Sequence, residues 1–282
     1  MSTSCCLAPP PWRPLPKLPQ LRLPYELWDA HMHVHALPGH RWDSPPERAL
    51  GVMDPVGISQ AVIMPYSEID LASKADLEVD AAYAAAHPGR FLLFARLHPG
   101  EGGGIEELLE WAATSLGYVG LKLHPVGSQI APTDPRTVSL VRCAARLGLP
   151  VLFHCGDEDL TLPDDIGPLA EKVPEANILL GHCGGYFHTR SALAWAQRCP
   201  NLYFETSATP DVRVLKEALH TIGPQRLIWG SDGPGCLPYL EVVKMQLALE
   251  GYEASSQDVY RDNLRRLLTR YVSPPPTEGA AT

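Results

Sequence analysis

This sequence has few basic residues, no long apolar run and no Cys-x-x-Cys pair among its seven cysteines. Its 23 lysines and arginines stand against 32 aspartates and glutamates, which gives a formal net charge of −9. Nucleic acids and anionic membranes are bound through basic patches, so we expect neither as a partner. A membrane-spanning helix needs about 20 apolar residues in succession. The scattered cysteines favour a reduced, cytoplasmic protein.

Proline, in contrast, is abundant and clusters at both ends of the chain. Residues 1–24 read MSTSCCLAPPPWRPLPKLPQLRLP, and proline at this density prevents regular helix and sheet. The same stretch lacks the unbroken apolar core of a secretory signal. We predict an extended or disordered arm over residues 1–24. For the same compositional reason we predict a disordered tail over residues 273–282.

Between these ends, over residues 25–272, short apolar runs alternate eight times with amphipathic segments. The runs are nearly continuous in hydrophobicity and bounded by glycine or proline, as strands buried on both faces are. The predicted strands are Leu27–His33, Gln60–Pro65, Phe91–His98, Tyr118–His124, Val151–His154, Asn177–His182, Leu202–Thr206 and Leu227–Asp232. The predicted helices include Ile105–Leu116, Thr137–Leu147 and Ala192–Arg198.

This alternation predicts an α/β fold with a parallel sheet. Eight strand-helix units in about 250 residues predict closure into a single-domain (β/α)₈ TIM barrel. The alternative is a doubly wound open sheet. It is disfavoured because no glycine-rich turn follows the first predicted strand, as dinucleotide binding would require.

Six polar residues stand at the carboxyl ends of predicted strands, where the catalytic groups of β/α barrels gather. They are His31, His33, Lys122, His154, His182 and Asp232. Imidazoles and a carboxylate that converge at one face are suitable ligands for a divalent metal. Taken singly, each is equally consistent with a satisfied core histidine or a turn aspartate. Taken together, they favour a metal site.

Strand geometry refines this prediction. Side chains two apart share a face, so His31 and His33 can bind one ion together, and Asp29 is expected to accept a hydrogen bond from a ligand imidazole. By the same alternation, Cys155 and Cys183 are expected to point away from the site and pack against helices.

With these residues in this order, the chain resembles the amidohydrolase superfamily. It looks closest to the branch that contains aminocarboxymuconate semialdehyde decarboxylase and related small hydrolases and lactonases. The resemblance runs from Leu27 to the segment Asp262–Leu267, and it covers nearly the whole predicted barrel.

The resemblance implies roles for the strand-end residues. His31, His33, His154 and Asp232 would hold one divalent metal, with zinc favoured and manganese or iron as alternatives. Asp232 would act as general base and then acid, and His182 would polarise the substrate or shuttle a proton. The family also suggests a homo-oligomer.

Lys122 leaves the number of ions open. In binuclear amidohydrolases a strand-four lysine is carboxylated and bridges two metals, and His154 and His182 would then bind the second ion. The alternative is an unmodified lysine paired with a buried carboxylate, Asp29 or Glu205.

Three further residues are predicted to meet a small-molecule substrate: Arg96, His124 and Glu205. An arginine suits a substrate carboxylate through a two-pronged contact, although a salt bridge inside the barrel mouth is an equal alternative for Arg96. Residues 186–188 are expected to form a loop over the pocket.

The predicted function is metal-dependent hydrolysis of a small ester, lactone or amide through a metal-activated water. The first alternative, on the same scaffold, is non-oxidative decarboxylation of an unsaturated or aromatic acid. An alternative of another class is a barrel that binds metal without catalysis, which the presence of both His182 and Asp232 disfavours.

Overall fold

The computed structural model describes residue 21 and residues 23–40, 43–66, 73–101 and 103–269. The predicted tail lies outside these residues, and so does the predicted arm apart from residues 21, 23 and 24.

Eight parallel strands of the described chain form one sheet in sequential order. They are β1 Leu27–His33, β2 Ile58–Met64, β3 Phe91–Arg96, β4 Tyr118–Leu123, β5 Val151–His154, β6 Ile178–Gly181, β7 Leu202–Glu205 and β8 Leu227–Ile228. Backbone hydrogen bonds join β1 to the segment after β8, from Ala30 N–H to the Trp229 carbonyl at 3.2 Å and from Asp232 N–H to the His31 carbonyl at 2.8 Å. The predicted (β/α)₈ TIM barrel is therefore confirmed.

Within the same described residues, ten α-helices accompany these strands. They are α1 Pro46–Met53, α2 Lys74–Ala86, α3 Ile105–Ser115, α4 Pro125–Ser128, α5 Pro135–Arg146, α6 Pro163–Lys172, α7 Thr189–Arg198, α8 Val212–Thr221, α9 Pro238–Ala248 and α10 Asn263–Leu267. Shorter turns of 3₁₀ helix lie at Asp54–Val56, His182–Gly184, Pro224–Arg226 and Glu253–Ser255, and a π-helical turn lies at Asp258–Asp262. None of the described helices is both long and apolar enough to cross a membrane.

The predicted bounds of β1 and β5 are correct, whereas several other strands are shorter than predicted. The largest difference is β8, which ends at Ile228 rather than at Asp232. The reason is local: Ser231 N–H donates to the Asp29 carboxylate at 2.8 Å, and Asp232 adopts a positive φ of 58°. A residue in that conformation cannot continue a strand.

Apolar side chains pack in two layers. The larger layer lies between the strands and the surrounding helices, and it contains Cys155 and Cys183 as predicted. The smaller layer fills the barrel interior, and the C-terminal helix α10 adds leucines to it. This interior cluster consists of Trp28, Ala30, Val62, Met64, Leu92, Phe94, Val119, Leu152, Leu179, Ile228, Leu264, Leu267 and Leu268.

Alternation along the strands sends the next polar residues to the same interior face. Phe94 is followed by Arg96 on β3, and Leu152 is followed by His154 on β5. Strand β1 departs from this rule because its register against β2 shifts between Asp29 and Met32. That irregularity brings His31 to the interior although Ala30 also faces it.

Candidate metal centre

The carboxyl ends of the strands bring the six predicted residues into one cluster. His31 and His33 end β1, Lys122 lies on β4, His154 ends β5, and His182 and Asp232 follow β6 and β8. The potential ligand atoms of His31, His182 and Asp232 all lie within 4.8 Å of one another. These three residues could hold a divalent ion. His33, Lys122 and His154 lie around them.

His31 is completely buried, and both of its ring nitrogens have partners. Nδ1 lies 2.9 Å from Oε2 of Glu205, a carboxylate that accepts hydrogen bonds. Nδ1 therefore has the proton, and the lone pair is on Nε2. The Nε2 atom lies 3.1 Å from the Lys122 Nζ and 3.6 Å from the Asp232 Oδ1.

His33 shows the same arrangement. Its Nδ1 lies 3.1 Å from the Pro65 carbonyl oxygen, which can only accept, so Nδ1 has the proton. Its Nε2 lies 2.9 Å from the Asp232 Oδ1. When the His33 ring is neutral, its Nε2 and the Asp232 Oδ1 are both hydrogen-bond acceptors. A cation, either a proton or a metal ion, is needed to stabilise their close approach.

His182 repeats the pattern a third time. Its Nδ1 lies 3.2 Å from the Ser207 carbonyl oxygen and 3.0 Å from the Ser207 hydroxyl oxygen. The carbonyl again places the proton on Nδ1 and leaves the Nε2 lone pair free. Its ring stacks at 5.0 Å from that of His31. Histidines that bind metals ordinarily donate their other N–H to such an acceptor. The donor set therefore fits a divalent metal.

The protonation states also suit a metal. Burial lowers the pKa of His31 well below its usual value and lowers the pKa of His182 to about 4, so both rings are neutral near pH 7. Burial alone would raise the pKa of Asp232, but the contact with the His33 ring and the nearby His31 and His182 hold it well below its usual range. Neutral imidazoles and an ionised carboxylate are the forms that bind metal ions.

Lys122 is buried, and its amine contacts His31 rather than either carboxylate proposed as its partner. Burial lowers the pKa of Lys122 to about 7. The positive charge of Arg96 also lowers this pKa, whereas the negative charge of Asp232 opposes the shift. A substantial fraction of the amine is therefore uncharged near neutral pH, and only an uncharged amine reacts with CO₂.

His154 lies at the edge of the cluster. Its ring is 4.8 Å from that of His182 and stacks at 4.2 Å on that of His124. Its Nε2 is 3.4 Å from the Glu158 Oε2. Glu158 folds back over Gly156, where a Cβ would lie 2.6 Å from the same oxygen. Sequence reasoning missed Glu158, although its spacing of four from His154 was visible.

The expected role of Asp29 was wrong. Its carboxylate accepts the backbone N–H of His31 at 3.0 Å and that of Ser231, together with the Ser231 hydroxyl, and so it fixes the backbone rather than an imidazole. The acceptor for the His31 ring is Glu205, which sequence reasoning placed against the substrate. Glu205 is completely buried, and burial raises its pKa.

Unusual backbone conformations concentrate at this site. His182, Cys183, Ala208 and Asp232 have φ values of 66°, 52°, 52° and 58°. Each such residue costs of order 1–3 kcal/mol and persists where the surrounding contacts impose it. Turns, and not strands, therefore set the direction of the Asp232 and His182 side chains.

A cavity of about 180 Å³ opens beside these groups. Its lining includes His154, Glu158, His182, Tyr186 and Asp232. Tyr186 belongs to the predicted loop over the pocket. Asp157 holds this loop, because its carboxylate accepts the backbone N–H groups of Tyr186 at 2.8 Å and Phe187 at 2.9 Å.

The other two residues predicted to meet substrate differ in exposure. Arg96 is fully buried, whereas His124 is partly exposed and stacks on His154. Burial lowers the pKa of His124. Its Nδ1 accepts the backbone N–H of Gly127 at 3.0 Å, so the ring caps the short helix α4. Contact with a substrate stays a prediction for both residues.

Residues 28–270 match the family model described as amidohydrolase. The chain therefore belongs to the amidohydrolase family, as its strand-end residues suggest. A comparison of the sequence with curated proteins gives no match.

Solved structures share the fold at low identity. A 2,6-dihydroxybenzoate decarboxylase from Rhizobium is 18% identical, with 86% of this chain and 98% of that chain covered and a TM-score of 0.66. A dihydroxybenzoic acid decarboxylase from Polaromonas with bound manganese is 16% identical, with 86% and 97% covered and a TM-score of 0.69. A probable 2-pyrone-4,6-dicarboxylic acid hydrolase from Acinetobacter baumannii is 16% identical, with 86% and 99% covered and a TM-score of 0.65.

Proposed function

We propose that the protein is a metal-dependent hydrolase of a small ester, lactone or amide. One observation carries the proposal: three buried imidazoles have Nδ1 bound to an acceptor, and beside them lies the ionised carboxylate of Asp232. We assign His31, His33, His182 and Asp232 to one ion, with His154 alongside. Zinc suits this set, and manganese and iron(II) accept it as well.

When bound, the ion would act as a Lewis acid and lower the pKa of a water molecule towards neutrality. Asp232 is the group placed to accept a proton and pass it to the leaving group, because its carboxylate is ionised and borders the cavity. His182 offers a lone pair, since its proton is on Nδ1. We therefore assign it ligation or proton acceptance rather than hydrogen-bond donation to a substrate carbonyl.

Metal removal and one conservative substitution test this proposal. The enzyme is stripped with a chelator, reloaded with Zn²⁺, Mn²⁺ or Fe²⁺, and assayed on a panel of small esters, lactones and amides. Hydrolysis should vanish on stripping and return with at least one metal. Asp232→Asn should lower kcat by about 10²–10⁴-fold, the usual range for a general acid or base.

The matched control is Asp159→Asn, an exposed carboxylate on the loop that follows β5. It should leave kcat unchanged. Hydrolysis that persists in the stripped enzyme, or equal losses in the two variants, would contradict the proposal. Stoichiometric metal without turnover of any substrate in the panel would favour a non-catalytic barrel.

Decarboxylation is the second candidate, and two buried basic residues favour it. Arg96 and Lys122 are neighbouring residues in the β3–β4 register and share the interior face, where a substrate carboxylate would need positive charge. The Rhizobium and Polaromonas structures also bear decarboxylase names. Release of CO₂ from 2,6-dihydroxybenzoate, lost in Arg96→Gln, would place this reaction above hydrolysis.

A further inference from the structure

Ser207 occupies a central position beneath the metal centre. It follows β7 by two residues and is completely buried. Its hydroxyl oxygen lies 2.8 Å from the Glu205 Oε2, 3.0 Å from the His182 Nδ1 and 3.3 Å from the His31 Nδ1. One oxygen thus contacts two imidazoles, one on β1 and the other directly after β6.

We propose that Ser207 is a positioning residue whose hydroxyl holds the rings of both His31 and His182 in the orientation needed for metal binding. The inference rests on the metal site proposed above. It goes beyond that site because Ser207 is not a ligand. It acts only through the two rings and the carboxylate that it touches.

The hydrogen-bonding capacity of the Ser207 hydroxyl matches its three contacts. A hydroxyl has one proton to donate and two lone pairs to accept with. The Glu205 carboxyl group accepts the Ser207 N–H on Oε1, and its Oε2 lies 2.8 Å from the Ser207 hydroxyl, so the hydroxyl proton is directed to Oε2. The two lone pairs are then left for the N–H groups of His31 and His182. Both rings then have the proton on Nδ1 and present the Nε2 lone pair to the metal site, where the Lys122 amine lies 3.1 Å from the Nε2 of His31.

The backbone around Ser207 is held from two sides, so the hydroxyl cannot easily turn away. Its own N–H donates to the Glu205 Oε1 at 2.8 Å. The next residue, Ala208, has a φ of 52° and donates its N–H to Glu241 on α9 at 3.2 Å. Lys244, also on α9, donates to the Thr206 carbonyl at 2.9 Å. Helix α9 thus anchors the turn that presents Ser207.

The neighbouring residue provides a matched control. Thr206 is completely buried, and its hydroxyl has no hydrogen-bond partner in the part of the chain that the structure describes. Thr206→Val removes a buried hydroxyl from the same turn without touching the imidazoles. A general effect of losing a buried hydroxyl would appear in both variants, whereas a positioning effect would appear only at Ser207.

The experiment is a calorimetric titration of chelator-stripped protein with Zn²⁺. Ser207→Ala should raise the Kd by about 10–100-fold, as substitution of groups that orient metal ligands does. Thr206→Val should bind as the wild type does. The visible spectrum of the Co²⁺-loaded protein should change in Ser207→Ala alone. The unfolding midpoint of the stripped protein reports separately on any loss of fold.

A second pair keeps the test valid if Ser207→Ala does not fold. Ser207→Thr and Ser207→Val have the same shape and differ only in the hydroxyl, so Ser207→Thr should bind Zn²⁺ more tightly. Equal affinity in wild type and Ser207→Ala, or in the Thr and Val variants, would overturn the inference while leaving the metal site intact. A wild type that binds no metal would instead overturn the proposed function.

Discussion

At the level of single residues, the barrel interior has no room for a larger side chain at Gly120. A Cβ at this position on β4 would overlap the ring of Phe94 on β3, which is completely buried. We expect Gly120→Ala to lower the free energy of unfolding by about 1–3 kcal/mol, the usual cost of overpacking. Denaturant unfolding at constant pH measures it.

Gly51 is the control for this prediction. It lies in α1, a Cβ there would meet nothing within 4 Å, and its backbone is helical. Gly51→Ala should therefore raise the free energy of unfolding by roughly 0.5–1 kcal/mol, since alanine loses less backbone entropy in a helix. If both variants moved in the same direction, the proposed packing inside the barrel would be wrong.

Single residues also show where sequence reasoning stops. His31, His182 and Asp232 could be found because imidazoles and a carboxylate after apolar runs are visible in the chain. The role of Glu205 could not be found, because its partner His31 is 174 residues away and the contact depends on the register of β1. Ser207 gave no signal at all, since a serine after a strand is ordinary.

At the level of elements, one carboxylate joins the loops that follow β5 and β6. Asp157 accepts the N–H groups of Tyr186 and Phe187, two residues that are 68% and 84% exposed. Asp157→Ala removes both hydrogen bonds, worth about 0.5–1.5 kcal/mol each. The loop should open more often, and chymotrypsin should cleave after these aromatic residues roughly tenfold faster, as followed by mass spectrometry.

Asp159→Ala is the matched variant, because it removes an exposed carboxylate from the same loop. Its cleavage rate should equal that of the wild type. Cleavage in Asp157→Ala that is no faster, or that occurs elsewhere in the chain, would mean that Asp157 does not hold the loop.

The elements themselves were largely predictable, and the errors have physical causes. Ile105–Ser115 ends one residue before the predicted helix, because hydrophobic spacing locates a helix well but its end poorly. Strand β8 was overextended because the apolar run LIW leads directly into GSD, with no proline to mark the end of the strand. The turn at Asp232 depends on the Asp29 carboxylate, a contact from the other end of the chain.

At the level of the whole molecule, the site lies where the first strand meets the segment after the last strand and the barrel closes. An ion that binds His31 and Asp232 would link β1 to the segment after β8 and would bind only the folded chain. At a free concentration 100 times its Kd, it should stabilise the fold by about 2.7 kcal/mol. For a chain of this size, the unfolding midpoint should rise by roughly 5–10 °C.

Scanning calorimetry with and without Zn²⁺ measures this shift, and a chelator should reverse it. In Asp232→Ala the ion should not raise the unfolding midpoint, because this variant lacks the carboxylate that lies beside both His31 and His33. A full shift in that variant would mean that the ion binds elsewhere. The predicted homo-oligomer stays a prediction.

The central claim is that one divalent ion binds at the carboxyl ends of these strands, and elemental analysis tests it most directly. Protein purified without chelator should contain about one ion per chain, and the His31→Ala/Asp232→Ala double variant should contain almost none. A second ion that disappears in Lys122→Ala would indicate a carboxylated lysine. A wild type without metal, or a double variant that retains it, would contradict the account.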